Sequence, residues 1–277
     1  MNITLFTCPV CNGALSRKDA SLVCENRHTY DISRRGYVNL LMSQASSLAR
    51  HGDSKEMVAA RNRFLGSGHY SALCDMVVSK ALATAKNDMT IIDIGCGECY
   101  YTAAVAEALS DRAPHVLGID ISKEALISGA KRSKSIDLAV ASAFSVPVGD
   151  SSADLVLNLF APHCESEFLR ITKSGGYLIR VFPLEEHLWE LKCAIYNEPY
   201  KNVISGIDIQ GFTCVDVSNL KYEISLSSNQ EIKDLFGMTP YSYKTGTDDA
   251  AKLDSLDKLT TRVEFAVITY KKDNIGG

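Results

Sequence analysis

No stretch of this chain is apolar for the length that a bilayer-crossing helix needs, which excludes a helical membrane anchor. The segment Met1–Thr7 has no basic n-region and no apolar h-region, so a secretory leader is not expected and retention in the cytoplasm is. Internal repeats and low-complexity tracts are missing, which excludes solenoids and long unstructured tails. Strong charge of either sign is also lacking: the net value is −4, with 46% apolar and 22% charged residues, the profile of an ordinary globular protein. The distribution is uneven, however. Residues 1–70 hold nine Lys/Arg against five Asp/Glu, and the remainder twenty against twenty-eight, so a basic surplus sits at the N-terminal end. Cysteine is plentiful, at nine, but the count is odd, the chain long and most thiols isolated in apolar segments. That pattern fits a reducing compartment better than a disulfide framework.

The most informative stretch is Thr90–Glu98. An apolar strand, Thr90 to Ile94, breaks into Gly95-Cys96-Gly97-Glu98, and Tyr100 to Leu109 then has helical apolar spacing. A second apolar strand ends in Asp120, placed to reach the two ribose hydroxyls of an adenosine. Dinucleotide sites put a third glycine where the helix N-terminus meets a pyrophosphate; here that place is Cys99, and acids stand at Asp93 and Glu98. Phosphates would be repelled, whereas S-adenosylmethionine has none and carries a cationic amino group and sulfonium. The turn therefore points to a methyl donor, with Asp93, Gly95, Gly97, Glu98 and Asp120 as cofactor-binding residues. Cys99 is expected to narrow the pocket floor. Cys96-x-x-Cys99 also has the form of a redox dithiol or of the second half of a larger zinc site, but it interrupts a nucleotide-type turn, and the N-terminal cysteines with His28 already make a complete quartet.

Cys8, Cys11, Cys24 and His28 form a C-x2-C-x12-C-x3-H pattern, the donor set of a closed tetrahedral zinc site. With four protein ligands no position is left for a substrate, so the ion is structural, organising a segment too short to bury its own core. The following run Tyr30–Leu40 is basic and aromatic, as suits either RNA contact or a solvated edge.

Residues 1–36 are expected to be the zinc-binding module, 37–68 a polar connector with Ser43, Ser46, Ser47, Gly52, Gly66 and Gly68, and 69–277 the methyltransferase domain. Within the connector, Glu56–Leu65 reads as a short helix. Helices are expected at 71–85, 122–134, 165–173 and 185–198. Buried parallel strands are expected at 136–141 and 153–160, with Ser174-Gly175-Gly176 capping a helix before the strand 177–182. Strands at 212–217, 221–226 and 262–270 then follow, with a helix at 231–238 between the last two. The fold class is α/β: a class I, Rossmann-like doubly wound sheet with an antiparallel closing strand, plus the small zinc domain.

Taken together, these residues resemble the RlmA-type 23S ribosomal RNA (guanine-N1)-methyltransferases over nearly the whole chain. Further matching stretches are Gly36–Leu40, Gly52-Asp53-Ser54, Gly68-His69-Tyr70, His187-Leu188 and Met238-Thr239-Pro240. Gly52–Ser54 and Gly68–Tyr70 lean it toward the type that modifies the earlier of two neighbouring loop guanines. The resemblance implies a zinc-bearing RNA-recognition domain, an S-adenosylmethionine-dependent methyltransferase domain, a hairpin loop of 23S ribosomal RNA as substrate, and a homodimer. It also implies that Tyr70, Gly97, Glu98 and His187 contact the cofactor; for Tyr70 and His187 the residue type by itself favours a structural role, a core anchor and a helix cap.

On the acceptor side, Asn158 ends a strand and Phe160 follows it, where it could stack on a flipped-out guanine or pack in the core. Glu165 and Glu190 are weaker candidates for a base. Two other readings, a small-molecule methyltransferase and a zinc-containing RNA-binding protein with a decayed donor site, share the same motifs.

Overall fold

The computed structural model describes residues 5–42 and 52–274; Ser43, Ser46 and Ser47 of the expected connector lie outside them. The N-terminal module is a three-stranded antiparallel ribbon, β1 (Ser16–Lys18), β2 (Ser21–Val23) and β3 (Thr29–Asp31). Strands of three residues cannot enclose a core. The ribbon instead buries Phe6, Leu15 and Leu22 against the rest of the protein, with a bridge between Phe6 and Val148.

From there β4 (Val38–Asn39) joins the main sheet as an edge strand, pairing in parallel with a strand a hundred residues on. Helix α1 (Lys55–Gly66) starts at Ser54, whose hydroxyl accepts from Met57 N, an N-cap of the kind that contributes about 1 kcal/mol. Helix α2 (Ser71–Ala83) leads into β5 (Thr90–Ile94), α3 (Tyr100–Ala108), β6 (His115–Asp120), α4 (Lys123–Arg132) and β7 (Ile136–Val140). After a long loop come β8 (Ala153–Leu159), α5 (Glu165–Ile171), β9 (Thr172–Pro183) and α6 (Trp189–Ile195). The chain closes with β10 (Phe212–Leu226), α7 (Asn229–Gly237) and β11 (Leu259–Lys272).

The large sheet has the order β10-β11-β9-β8-β5-β6-β7-β4, parallel except where β11 inserts antiparallel between β9 and β10. Strands β5, β7 and β8 are buried at every position, as continuous apolar runs covered on both faces must be. One face packs on α1 to α4, α6 and α7. The other packs on α5 and on the zinc ribbon. The connection between β7 and β8 contains no helix, and the ribbon covers the sheet where such a helix would lie. It is thus part of the protein's core as well as an appendage.

Three local expectations differ from the structure. Ser174-Gly175-Gly176 do not cap a helix: they lie within β9, where the register slips between Ala153/Thr172 and Leu155/Tyr177, and a Cβ at Gly176 would stand 2.9 Å from Lys173 O. The two strands expected at 212–217 and 221–226 are one, β10, bent by a bulge between Cys214 and Asp216. The helix expected over 185–198 shrinks to α6. Leu188 adopts φ +57° before it, and Pro199 disfavours helical backbone at Glu198.

Candidate active site

A cavity of about 900 Å³ opens at the carboxyl ends of β5, β6, β8 and β9, where parallel α/β sheets place their ligands. Its donor end is the turn after β5. Gly95 (φ +80°) is obligatory for two reasons, its backbone conformation and the 2.4 Å that would separate a Cβ there from the Cβ of Ala161. Every amide here but that of Glu98 is satisfied internally: Gly95 N and Cys96 N donate to Ile119 O, Cys99 N to Cys96 O, and Gly97 N to Asp120 Oδ2 at 2.9 Å. Asp120 Oδ1 accepts from Ser122 N at 2.8 Å. Each oxygen keeps a further lone pair, so the carboxylate fits a pair of ribose hydroxyls. Burial raises the pKa of Asp120, partly offset by these two amides.

The acids expected at the turn behave differently from one another. Glu98 is buried and paired with Arg61, whose Nε lies 2.6 Å from Oε2, and Arg61 Nη2 also binds Asp53. Burial opposes the charge on Arg61, but Glu98 and Asp53 outweigh it and raise its pKa. Glu98 is therefore a compensated acid. Asp93 is not: Oδ2 accepts from Thr102 Oγ1 at 2.5 Å, while the buried Oδ1 has no partner. Burial lifts its pKa to about 7. An orphaned carboxylate oxygen in a cavity wall is a fitting place for a cationic ligand group.

Two positions within Cys96–Cys99 correct the sequence reading. Cys99 does not narrow the cavity. In the left-handed region (φ +59°) it turns its fully buried thiol toward α4, and a Cβ at Gly129 would stand 2.6 Å from that sulfur. Glycine there would relieve the backbone strain. Nor do the two thiols make a redox pair: Cys96 is buried, its pKa pushed well above normal by burial, the reverse of a reactive thiolate.

Tyr70 and His187 both line the cavity. Tyr70 packs edge-on against Phe64 and Phe265, and His187 lies 4.7 Å from Phe265. Burial, then Lys192, pushes the His187 pKa down to about 3, so the ring is neutral. Its Nδ1 accepts from Glu264 N at 3.1 Å, which leaves the proton on Nε2 as a donor. The motif residues near them serve the fold: Gly52 lies 3.2 Å (from its would-be Cβ) above Ser122, Ser54 caps α1, and Gly68 takes φ +84°.

At the opposite end, Asn158 and Phe160 line the same cavity. Asn158 Nδ2 donates to Pro162 O at 3.1 Å, holding the loop after β8. Phe160 is in the left-handed region (φ +57°), a conformation that costs a bulky residue about 1–2 kcal/mol, yet its ring is 45% exposed. It is not a core residue. The four most exposed aromatic side chains among the described residues, Phe144, Phe160, Tyr200 and Tyr243, all line this one cavity. Glu165 and Glu190 do not line it: Glu165 accepts from Gln210 N, and Glu190 is engaged by Thr261 and Arg262, which removes both as bases.

In the ribbon, Cys8, Cys11, Cys24 and His28 converge with all ligating atoms within 4.8 Å of one another. Cys11 Sγ lies 3.7 Å from Cys24 Sγ, and His28 Nδ1 lies 3.5 Å and 3.3 Å from Cys8 and Cys24. A tetrahedral ion with zinc–sulfur bonds of about 2.3 Å requires sulfurs about 3.8 Å apart, so the donor set fits zinc. Tyr30, whose pKa is raised by burial and then by its neighbour Cys8, has its hydroxyl 3.1 Å from Cys8 Sγ.

Residues 6–47 match the family described as RlmA, N-terminal, a zinc ribbon, and residues 92–180 match a methyltransferase domain. The chain is 38% identical to the 23S rRNA (guanine(748)-N(1))-methyltransferase of Streptomyces fradiae, covering 96% of each protein. The chain belongs to the 23S rRNA (guanine-N1)-methyltransferase family. A Bacillus subtilis (strain 168) relative, named as a candidate for the same activity, is 29% identical over 98% of this chain and 99% of its own length. This family member is an S-adenosylmethionine-dependent methyltransferase of class I fold with a structural zinc site. No helix among the described residues is long and apolar enough to cross a membrane.

Arg61, Tyr101, Phe144, Tyr200 and Tyr243 are site residues that the sequence reading did not find. Tyr101 is partly buried and lines the cavity, and its buried hydroxyl has no partner. The only advance signal for it was its place in the helix that follows the donor turn.

Proposed function

We propose that this protein methylates N1 of a guanine in 23S ribosomal RNA, and that the guanine is presented unpaired in a hairpin loop. The observation that carries this reading is a single cavity with the donor turn at one end and exposed aromatic rings around the other. Unpaired bases are held by stacking, at about 1–3 kcal/mol per base, whereas a small polar acceptor has no use for a rim of four rings. S-adenosylmethionine supplies the methyl group as an electrophile. In this reading Asp120 receives its ribose, and Asp93, Gly95, Gly97, Glu98, Tyr70 and His187 form the rest of its site. Phe160 stacks on the acceptor base and Asn158 fixes the loop that carries Phe160. The neutral His187 and the buried aromatics exclude water, so most of the rate gain comes from alignment of the nucleophile with the donor.

The reading keeps a division into zinc module 1–36, connector 37–68 and methyltransferase domain 69–277, although β4 and α1 of the connector are built into the large domain. Cys8, Cys11, Cys24 and His28 hold the ion, and the basic N-terminal segment meets RNA phosphates. A homodimer acting on ribosomal RNA in the cytoplasm completes the proposal.

The test is to incubate the protein with labelled S-adenosylmethionine and ribosomal RNA lacking the modification, then map the product by primer extension. N1 methylation blocks the pairing edge, so a stop at one loop guanine is expected. Label confined to protein or solvent, with no stop, would refute the assignment.

A further inference from the structure

Arg180 is unusual among the charged residues of the site. It lies on β9 directly across from Asn158 on β8, lines the cavity and is only 6% exposed. Its Nη1 donates to Gly206 O at 2.5 Å, and its guanidinium stands over the Phe182 ring at 5.5 Å. No carboxylate among the described residues lies within ion-pair distance of it, and its buried Nε has no acceptor. Burial lowers its pKa, with Tyr270 the partial offset. A buried guanidinium with an unmet donor and no counter-charge is costly unless a ligand completes it. The other cavity-lining arginine, Arg61, is matched by two acids, so the imbalance is particular to the acceptor end.

Beside it, Asn158 turns its amide nitrogen to Pro162 O, and its side-chain oxygen is therefore an acceptor. A guanidinium donor and an amide acceptor on neighbouring strands complement one edge of guanine, which offers the O6 acceptor beside the N1–H and N2–H donors. Adenine presents an amino group where guanine has O6, so it would set donor against donor. Resting on the function proposed above, we infer that Arg180 and Asn158 together read the Watson–Crick edge of the acceptor guanine, with Arg180 on O6. The same contact assists the chemistry. When N1 releases its proton to solvent, negative charge spreads to O6, and the guanidinium offsets it. The N1 lone pair then forms the bond to the methyl carbon as the methyl–sulfur bonding pair returns to sulfur.

The experiment compares the wild-type protein with Arg180→Gln and Arg180→Lys, using hairpin RNAs with guanine or adenine at the target position. Binding by fluorescence anisotropy should favour guanine over adenine by about tenfold or more in the wild type, and Arg180→Gln should bind both alike. Methylation by Arg180→Gln should fall at least about thirtyfold, with its pH–rate profile displaced to higher pH, while calorimetric affinity for S-adenosylmethionine stays within about threefold. Arg180→Lys, which keeps the charge, should recover part of both the rate and the displacement. An Arg180→Gln protein that retains guanine preference and an unshifted profile overturns the inference, as does one whose loss is confined to donor affinity. Should Arg180→Gln not fold, the wild-type profile decides: an apparent pKa for N1 deprotonation no lower than that of free guanosine in the same buffer overturns it. Wild-type protein that methylates no RNA would instead refute the underlying function.

Discussion

Binding of S-adenosylmethionine should release protons, and the source should be Asp93. In the free protein burial lifts this carboxyl from 3.8 to about 7, so at pH 6.5 about three-quarters of the molecules carry the proton. Its buried Oδ1 has no partner, and the residue lines the donor end of the cavity. A cation placed there favours the charged form and drives the proton off. Titration calorimetry at pH 6.5 in buffers of different ionisation enthalpy should therefore give about three-quarters of a proton released per ligand, falling toward zero by pH 8.5. Asp93→Asn should abolish the release and weaken binding by about 2 kcal/mol, or about thirtyfold, the size of one charge-assisted contact. The sign also fixes the stability of the free protein. The unfolded chain binds fewer protons than the folded one between pH 4 and 7, so stability falls as pH rises through that window and levels off above it, by at most about 4 kcal/mol. Asp93→Asn should flatten that slope. Proton uptake on binding, or a release of equal size in Asp93→Asn, would refute the reasoning.

Two further outcomes follow from the geometry. Stripping the metal with a chelator should release about one zinc per chain, measured by atomic absorption. Because the ribbon covers the sheet between β7 and β8, the loss should lower the melting temperature as well as RNA methylation, and readded zinc should restore both. Gly95→Ala should cost about 2–4 kcal/mol through left-handed strain and the clash with Ala161, seen as a lower melting temperature and weaker donor binding. Adding Ala161→Gly should return the part due to the clash, and unchanged values in the single variant would refute the close approach of the two loops.

The fold was legible wherever burial was uniform. Strands β5 to β8 are largely apolar on both faces, and their parallel direction follows from that pattern, with helices crossing between β5, β6 and β7 but none between β7 and β8. The zinc ligands were legible because metal coordination is written in short spacings. What could not be read was anything set by contacts distant in sequence: the 37-residue reach of Arg61 to Glu98, the docking of β4 on β7, and the convergence of Phe144, Phe160 and Tyr200 from three loops with Tyr243 from the short helix Tyr241–Lys244. Cys99 shows a subtler limit. Its type and position suggest a side chain in the pocket, but the sign of φ at that residue sends the sulfur the other way.

Arg61 also changes the reason why the donor turn should refuse phosphate. Two acids next to glycines suggest simple charge repulsion, yet Glu98 is neutralised by Arg61 and half of the free Asp93 would be protonated near neutral pH. The stronger exclusion lies in the backbone. A pyrophosphate site works by leaving amide N–H groups unpaired at the turn, so that the ligand's oxygens complete them. Here the amides of Gly95, Cys96 and Cys99 are bound to main-chain carbonyls, and that of Gly97 to the Asp120 carboxylate. A phosphate would have to displace an internal acceptor at each of these four amides, including the buried Asp120 carboxylate at Gly97 N. Asp120 therefore acts twice: it presents oxygen to a ribose, and it occupies the donor that a dinucleotide would need.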